Sequence, residues 1–161
     1  MSQHQKVHEF LRHHPMGILS TVSADGKPWG AAIYYVADED FNFYFVTRVE
    51  TSKYYNLDKN PVAAITIADS ETQTTVQASG KILKLPVDKY MDIVFNKLAH
   101  VRHQDDLNWT PPIDKIREGG DYMPLYIVPD RLQFADYKHP KSDIHADYIE
   151  RIIPAAKASE H

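Results

Sequence analysis

Four residues that can hold an anion lie close together after an aromatic segment of the chain: Thr47, Thr51, Ser52 and Lys53. Their hydroxyl groups can donate hydrogen bonds, and the lysine adds a mobile positive charge. A helix predicted to begin near Thr51 would add N–H groups that have no acceptor inside the helix, and its dipole favours a negative charge. The pattern indicates a phosphate site, to which Arg48 would add a bidentate contact if its side chain points inward.

The same residues also suit an ordinary helix start. Threonine and serine are favourable N-caps, and a lysine in a first turn is commonly a solvated surface residue. The local pattern leaves both interpretations open. The elements around the segment, and the class of the whole chain, must decide between them.

Composition restricts the class of protein. The 161 residues suit one domain, with 43% hydrophobic and 25% charged residues. A net charge of -4 argues against nucleic acid or an anionic membrane as the main partner. The absence of cysteine excludes disulfides, thiolate catalysis and cysteine metal sites. Without an apolar run that suits a signal peptide or membrane span, we expect a cytoplasmic protein.

The elements that must position the candidate site are mostly strands. Ser2 and Gln5 fit a capping box at the start of the first helix. The apolar run 62–68 predicts a strand covered on both faces, and the strand over 72–85 alternates small apolar with polar residues. The predicted elements are a helix over 2–14, three strands within 16–47, a helix over 50–59, strands over 62–68 and 72–85, a helix from Pro86, and two strands within 122–137.

About seven strands and three short helices indicate a mainly β protein. Successive hairpins favour an antiparallel barrel over a doubly wound parallel sheet, and closing the sheet removes edges that aggregate. We expect one domain over residues 1–138. Residues 139–161 read as a polar, peripheral tail.

The order of four segments resembles the pyridoxamine 5'-phosphate oxidase-like, FMN-binding split-barrel family, over roughly residues 5–100. The segments are "HHPMG", "ILSTVSADGKPWGAAIYYV", "FNFYFVTRVETSKYYNLDKNPVAAITIA" and "TTVQASGKILKL". The general stress proteins are the closer likeness within that family. The resemblance implies an antiparallel split β-barrel of six to seven strands with short flanking helices, forming a homodimer with cofactor sites at the interface.

The resemblance also assigns roles to individual residues. The phosphate of FMN would be held by Thr47, Thr51, Ser52 and Lys53. The isoalloxazine ring would lie along the main chain of the second strand, at Ala31, Ala32 and Ile33. A side chain from the partner's long strand would reach the polar edge of the flavin, with Gln77 the first candidate and Gln73 the second.

The chain departs from the true oxidases at three places. Ala31 stands where they carry an arginine that pairs with the phosphate, and Ser52 replaces a basic residue. Their C-terminal substrate motif is not visible in "DYIERIIPAAKASEH". We therefore predict an FMN-dependent oxidoreductase that acts on an unidentified small molecule and is not a true pyridoxamine phosphate oxidase. No catalytic side chain is assigned, because the cofactor supplies the reactive atoms.

Two other functions stay open. One is a binding or sensor module that holds flavin, haem or deazaflavin without turnover, for which His13, His14 or a C-terminal histidine would be a candidate axial ligand of haem. The other is a dimeric barrel that has lost its cofactor. The pairs His4–His8 and His100–His103 have no carboxylate at a metal-motif spacing, so no metal site is expected. Trp109 is expected to pack against the barrel, the alternative being a cover over a cofactor ring.

Overall fold

The computed structural model describes residues 1–93, 121–138 and 148–153. Its helices are α1 (Gln3–His13), α2 (Ser52–Lys59) and α3, whose described part covers 87–93. Its strands are β1 (Met16–Val22), β2 (Pro28–Tyr34), β3 (Val36–Ala37), β4 (Phe43–Arg48), β5 (Val62–Asp69), β6 (Thr74–Lys84), β7 (Tyr122–Asp136) and β8 (Ile149–Ile153).

All eight described strands belong to one antiparallel sheet. The order is β2-β1-β5-β6-β7-β4-β3, and β8 pairs with β7 beyond the end of β4. The sheet curls until β2 contacts β4, although the two strands share no ladder. The predicted split β-barrel with flanking helices is confirmed.

Helix α1 forms where the sequence predicted it because both its cap and its apolar stripe are strong. The Ser2 hydroxyl accepts from the Gln5 backbone N–H at 3.2 Å, and the Gln5 side chain accepts from the Ser2 N–H at 2.7 Å. The helix packs its apolar face into the core. The Tyr35 hydroxyl donates to the His14 carbonyl at 2.6 Å and so ties the end of β2 to the end of this helix.

The main core lies on the concave face of the sheet. Inward residues of β1, β5 and β6 alternate with outward ones, as a half-buried strand requires. Strand β4 is the exception, since Phe43, Tyr44 and Phe45 are all buried. Tyr44 points away from the main core and packs with Tyr90 and Met91 of α3, so this helix covers the other face of β4.

Strand β7 differs from the prediction of two strands within 122–137. It is one strand of 15 residues, and a register shift opposite Ser79 and Gly80 accommodates its central proline. A Cβ atom on Gly80 would lie 2.0 Å from the Val128 carbonyl oxygen, so the close approach at this bulge requires glycine. The continuous strand survives Pro129 because the bulge removes the need for its missing N–H.

Three further differences concern strand ends and exposure. The second of the three strands predicted within 16–47, expected over 29–36, divides into β2 and β3, and residues 149–153 of the predicted tail pair with β7 as β8. In β5 the run 62–68 buries one face only, because Val62 and Ala68 are exposed on the outer side. The predictions for His100, His103 and Trp109 lie outside the described residues.

Candidate functional site

The start of α2 carries the four residues of the predicted phosphate site. Thr51 is the N-cap, with extended backbone and a hydroxyl that accepts from the Tyr54 N–H at 3.4 Å. The next two N–H groups, of Ser52 and Lys53, have no acceptor among the residues that the structure describes. They are the orphan donors of a helix N-terminus, which favours an anion.

The two threonine hydroxyls are occupied within the loop. Thr51 Oγ1 donates to the Arg48 carbonyl oxygen at 2.7 Å and lies 3.1 Å from Thr47 Oγ1. Since the Thr51 hydroxyl donates its proton to the Arg48 carbonyl oxygen, the Thr47 hydroxyl is the donor in its hydrogen bond with Thr51. Thr47 is also buried, with 2% of its surface exposed. In this arrangement both threonines hold the shape of the loop, and a direct bond from either to a phosphate requires its proton to turn away.

Lys53 is a half-buried cation beside these donors. Burial lowers the pKa of its ammonium group below the ordinary lysine value. No carboxylate among the described residues pairs with it. A partly desolvated charge without a counterion gains from an anion more than a fully solvated one does.

Arg48 does not join the site. Its guanidinium pairs with the Glu50 carboxylate, and its side chain is 53% exposed. The inward contact considered for Arg48 is therefore not formed, since its carboxylate partner holds it at the surface. Ser52 is exposed at the first position of α2.

A buried hydrogen bond fixes α2 against the sheet. Asn56 donates from Nδ2 to Thr21 Oγ1 of β1 at 3.0 Å, and both residues are buried. Helix α2 contacts β1, β2 and β4, so the end of β4, the start of α2 and strand β2 are brought together. Sequence reasoning missed Asn56, because an asparagine within a helix gives no local sign of a partner 35 residues away.

Strand β2 presents one unpaired edge. It is the last strand of the sheet and pairs only with β1 among the described strands, so alternate N–H and C=O groups face away from the ladder. Ala31 and Ile33 lie on the core side, where Ile33 is buried, while Ala32 lies on the outer side. Trp29 lies on the same side of the strand as Ala31, and 54% of its surface is exposed.

Gln77 does not share this region of its own chain. It lies on the outer face of β6, opposite Thr66 of β5 and Gln133 of β7, and β5 and β1 separate it from β2. Gln73, the second candidate, lies before β6 with a φ of 55° and is exposed. For either residue to act at the phosphate cradle, which we define as Thr47, Thr51, Ser52 and Lys53, a second copy of the chain would have to supply it.

The histidines of α1 and of its C-cap make contacts within the chain, and His13 Nδ1 lies 2.8 Å from the Glu9 carbonyl oxygen. His8 stacks on Phe41 at 4.1 Å between ring centroids, and His4 meets the same ring edge-on at 5.4 Å. His14 Nδ1 lies 2.7 Å from the Phe10 carbonyl oxygen, and its Nε2 lies 3.5 Å from Asp69 Oδ2. No cluster of three metal-ligating side chains occurs within residues 1–93, 121–138 and 148–153.

Residues 3–112 match the family described as pyridoxamine 5'-phosphate oxidase. The chain belongs to this family. A curated member, the pyridoxine/pyridoxamine 5'-phosphate oxidase of Dichelobacter nodosus, is 23% identical over 134 residues. That alignment covers 83% of this chain and 62% of the relative, so the chain spans less than two thirds of the relative's length.

Solved structures share the fold. General stress protein 26 of Bacillus anthracis has a TM-score of 0.62 at 19% identity, covering 83% of this chain and 94% of that one. The heme storage protein HutZ of Vibrio cholerae scores 0.63 at 16% identity, with 80% and 91% covered. A pyridoxamine 5'-phosphate oxidase-related, FMN-binding protein of Nostoc punctiforme scores 0.58 at 14% identity, with 96% and 98% covered. At these identities the likeness shows the fold alone.

Within the described residues, no helix has the length and apolar character needed to cross a membrane.

Proposed function

We propose that this protein binds FMN at the start of α2 and acts as a flavin-dependent oxidoreductase on a small molecule. The observation that carries the proposal is Lys53, a half-buried cation beside two unpaired backbone N–H groups and without a carboxylate partner in the described part of the chain. The family membership and the FMN-binding relative of Nostoc punctiforme support flavin as the ligand.

The donors at this site suit a phosphate group. The N–H groups of Ser52 and Lys53, the exposed Ser52 hydroxyl and the Lys53 ammonium all donate, and a phosphate accepts through several oxygens. Thr47 and Thr51 keep the loop in shape through their hydroxyl contacts. When bound, FMN would supply the electron-transfer chemistry, while the protein holds the phosphate and orients the ring.

The free edge of β2 suits the ring of the same molecule. Its outward N–H and C=O groups can meet the polar edge of a flavin, and Ala32 adds little bulk there. The resemblance puts Ala31 where the true oxidases carry a phosphate-binding arginine. The proposed phosphate site thus relies on one lysine and on neutral donors, which bind an anion less strongly than a second cation would.

A homodimer is part of this proposal. The outer faces of β1, β2 and β5 expose large apolar side chains: Met16, Ile18, Tyr34 and Val62 are between 41% and 52% exposed. On the outer side of β5, Ala64 and Thr66 are half-buried, while Val62 and Ala68 stay exposed in the part of the chain that the structure describes. A second copy placed on this outer face would cover these residues, as is common for two-fold symmetric dimers.

The visible spectrum and thermal stability of the purified protein test the ligand. We expect the absorption bands of oxidised flavin, or a rise in melting temperature on adding FMN, because a ligand that binds only the folded state stabilises it. Riboflavin, which lacks the phosphate, should raise the melting temperature less. A colourless protein whose melting temperature FMN leaves unchanged would refute the proposal.

The same spectrum separates the alternatives. A Soret band instead of flavin bands would indicate haem, which the heme storage relative of Vibrio cholerae makes the next candidate. Anaerobic bleaching of bound flavin by NADH or NADPH would support turnover. Flavin that every offered donor leaves oxidised would favour a carrier or sensor.

A further inference from the structure

Three polar side chains on the outer face of β6 and β7 form a chain of hydrogen bonds. Arg131 donates from Nη2 to Oε1 of Gln133 at 3.1 Å, and Gln133 donates from Nε2 to Oε1 of Gln77 at 2.5 Å. Gln77 and Gln133 lie directly opposite in the ladder, and Arg131 is two residues before Gln133 on the same side of β7. These hydrogen bonds lie on the side of the sheet away from the core, so packing of the core does not require them.

The arginine fixes the direction of both amide groups. A guanidinium group only donates, so Gln133 must turn its oxygen towards Arg131 and its nitrogen towards Gln77. Gln77 then accepts through its oxygen, and its two N–H groups have no acceptor among the described residues. Without Arg131, the Gln133 amide is free to reverse, and Gln77 would present either an acceptor or a donor.

The register places this donor opposite β2 along one row of the outer face. Directly paired residues point to the same side of a sheet, and the row runs through Gln133, Gln77, Thr66, Ile18 and Ala32 on β7, β6, β5, β1 and β2. Strand β5 is central in this row. If two copies pack outer face to outer face about a two-fold axis along β5, then β6 and β7 of one copy lie over β1 and β2 of the other.

We propose that Arg131 and Gln133 are positioning residues that make Gln77 a hydrogen-bond donor to the flavin ring held on the partner copy. The proposal rests on the FMN site and the homodimer proposed above. The polar edge of an oxidised flavin ring accepts at four positions, the two carbonyl oxygens and the nitrogens N1 and N5, and donates at one, the N3–H group. A fixed donor therefore selects for such a ring, because a ligand that presents a donor there would leave both groups unpaired.

Variants of Arg131 test the proposal through the dissociation constants of both FMN and riboflavin, measured by quenching of flavin fluorescence. Arg131→Leu should raise the dissociation constants of both ligands by the same factor, about two- to tenfold. Both ligands carry the same ring, and one neutral hydrogen bond to it is affected. Arg131→Lys keeps a donor and should bind both ligands like the wild type. Gln77→Glu replaces the donors with a carboxylate and should weaken both more than Arg131→Leu does.

Lys81→Leu is the matched control. Lys81 is exposed on the same face of β6, and its removal changes the charge equally without touching the hydrogen-bond chain. Equal effects of Lys81→Leu and Arg131→Leu would overturn the proposal in favour of general electrostatics. Weaker binding of FMN with unchanged riboflavin would also overturn it, since Arg131 would then be a phosphate contact.

Two further results decide the proposal without the affinities of the Arg131 variants. If Arg131→Leu does not assemble, Gln77→Glu decides, and riboflavin affinity equal to that of the wild type refutes the role of Gln77. A wild-type protein that binds neither flavin refutes the proposed function itself. That result is distinct from flavin binding that is insensitive to Arg131 and Gln77, which refutes the positioning role alone.

Discussion

At the level of single residues, Lys53 and Arg48 show how burial and pairing assign different roles to two nearby cations. Arg48 is exposed and neutralised by Glu50, whereas Lys53 is half-buried and lacks a carboxylate partner among the described residues. An exposed ion pair contributes little to stability or binding. A partly desolvated ammonium beside unpaired N–H groups is a stronger basis for anion binding, so the proposed phosphate site depends chiefly on Lys53.

Replacement of Lys53 tests this dependence. We expect Lys53→Ala to lower the affinity for FMN about 10- to 100-fold, which is the range for loss of one charge-assisted hydrogen bond. Riboflavin affinity should change little, because riboflavin has no phosphate. Lys59→Ala serves as the control, since Lys59 lies in the last turn of the same helix and is exposed. Titrations that show equal FMN affinity for Lys53→Ala and the wild type would rule out the assigned contact.

The lowered pKa of Lys53 gives a second prediction, on pH. Only the protonated ammonium attracts the phosphate, so FMN affinity relative to riboflavin should fall as pH rises through the pKa of Lys53. Because burial lowers this pKa, the fall should begin at a lower pH than an ordinary lysine would give. Lys53→Arg stays charged throughout that range, and its affinity ratio should stay constant. A wild-type ratio that is independent of alkaline pH would contradict the prediction.

At the level of elements, local patterns predicted what local forces determine. The capping box of α1 and the alternation in β6 both follow from neighbours in sequence, and both are confirmed. The continuity of β7 through Pro129 could not be predicted, because it depends on a bulge opposite Gly80 of another strand. The same reason hid the anchoring of α2 by Asn56, whose partner Thr21 lies on β1. The pairing of Arg48 with Glu50, by contrast, joins two residues of the same loop.

The bulge itself yields a prediction on stability. Gly80→Ala places a Cβ atom 2.0 Å from the Val128 carbonyl oxygen, so β6 and β7 must separate. We expect a loss of about 1–3 kcal/mol or more in the free energy of unfolding, measured by urea denaturation. Gly30→Ala is the matched control, since its nearest neighbour would be Ile18 Cγ2 at an ordinary 3.5 Å. Equal stability of the two variants would show that the strands tolerate a side chain at the bulge.

At the level of the whole molecule, the two parts of the proposed site lie far apart within one chain. The phosphate-binding part lies at the end of the sheet formed by β2, and Gln77 lies on β6. The cradle at α2 adjoins the edge strand β2, while Gln77 lies on β6 with two strands between them. The resemblance assigns both to one cofactor, with Gln77 supplied by a second copy of the chain, and the proposed dimer would bring them together. The apolar outer face of β1, β2 and β5 gives the surface on which they would meet.

Ile18 tests that surface because it is 46% exposed near the middle of the outer face. In a two-fold dimer Ile18→Glu would place two unpaired carboxylates at the interface, so we expect sedimentation to show a shift from dimer to monomer. FMN affinity should fall with it, because each site would lose Gln77 of the partner copy. Val87→Glu is the control, since Val87 is also partly exposed but lies on α3. If Ile18→Glu dimerises as tightly as the wild type, the copies meet elsewhere, and the proposed contact of Gln77 across this surface is refuted.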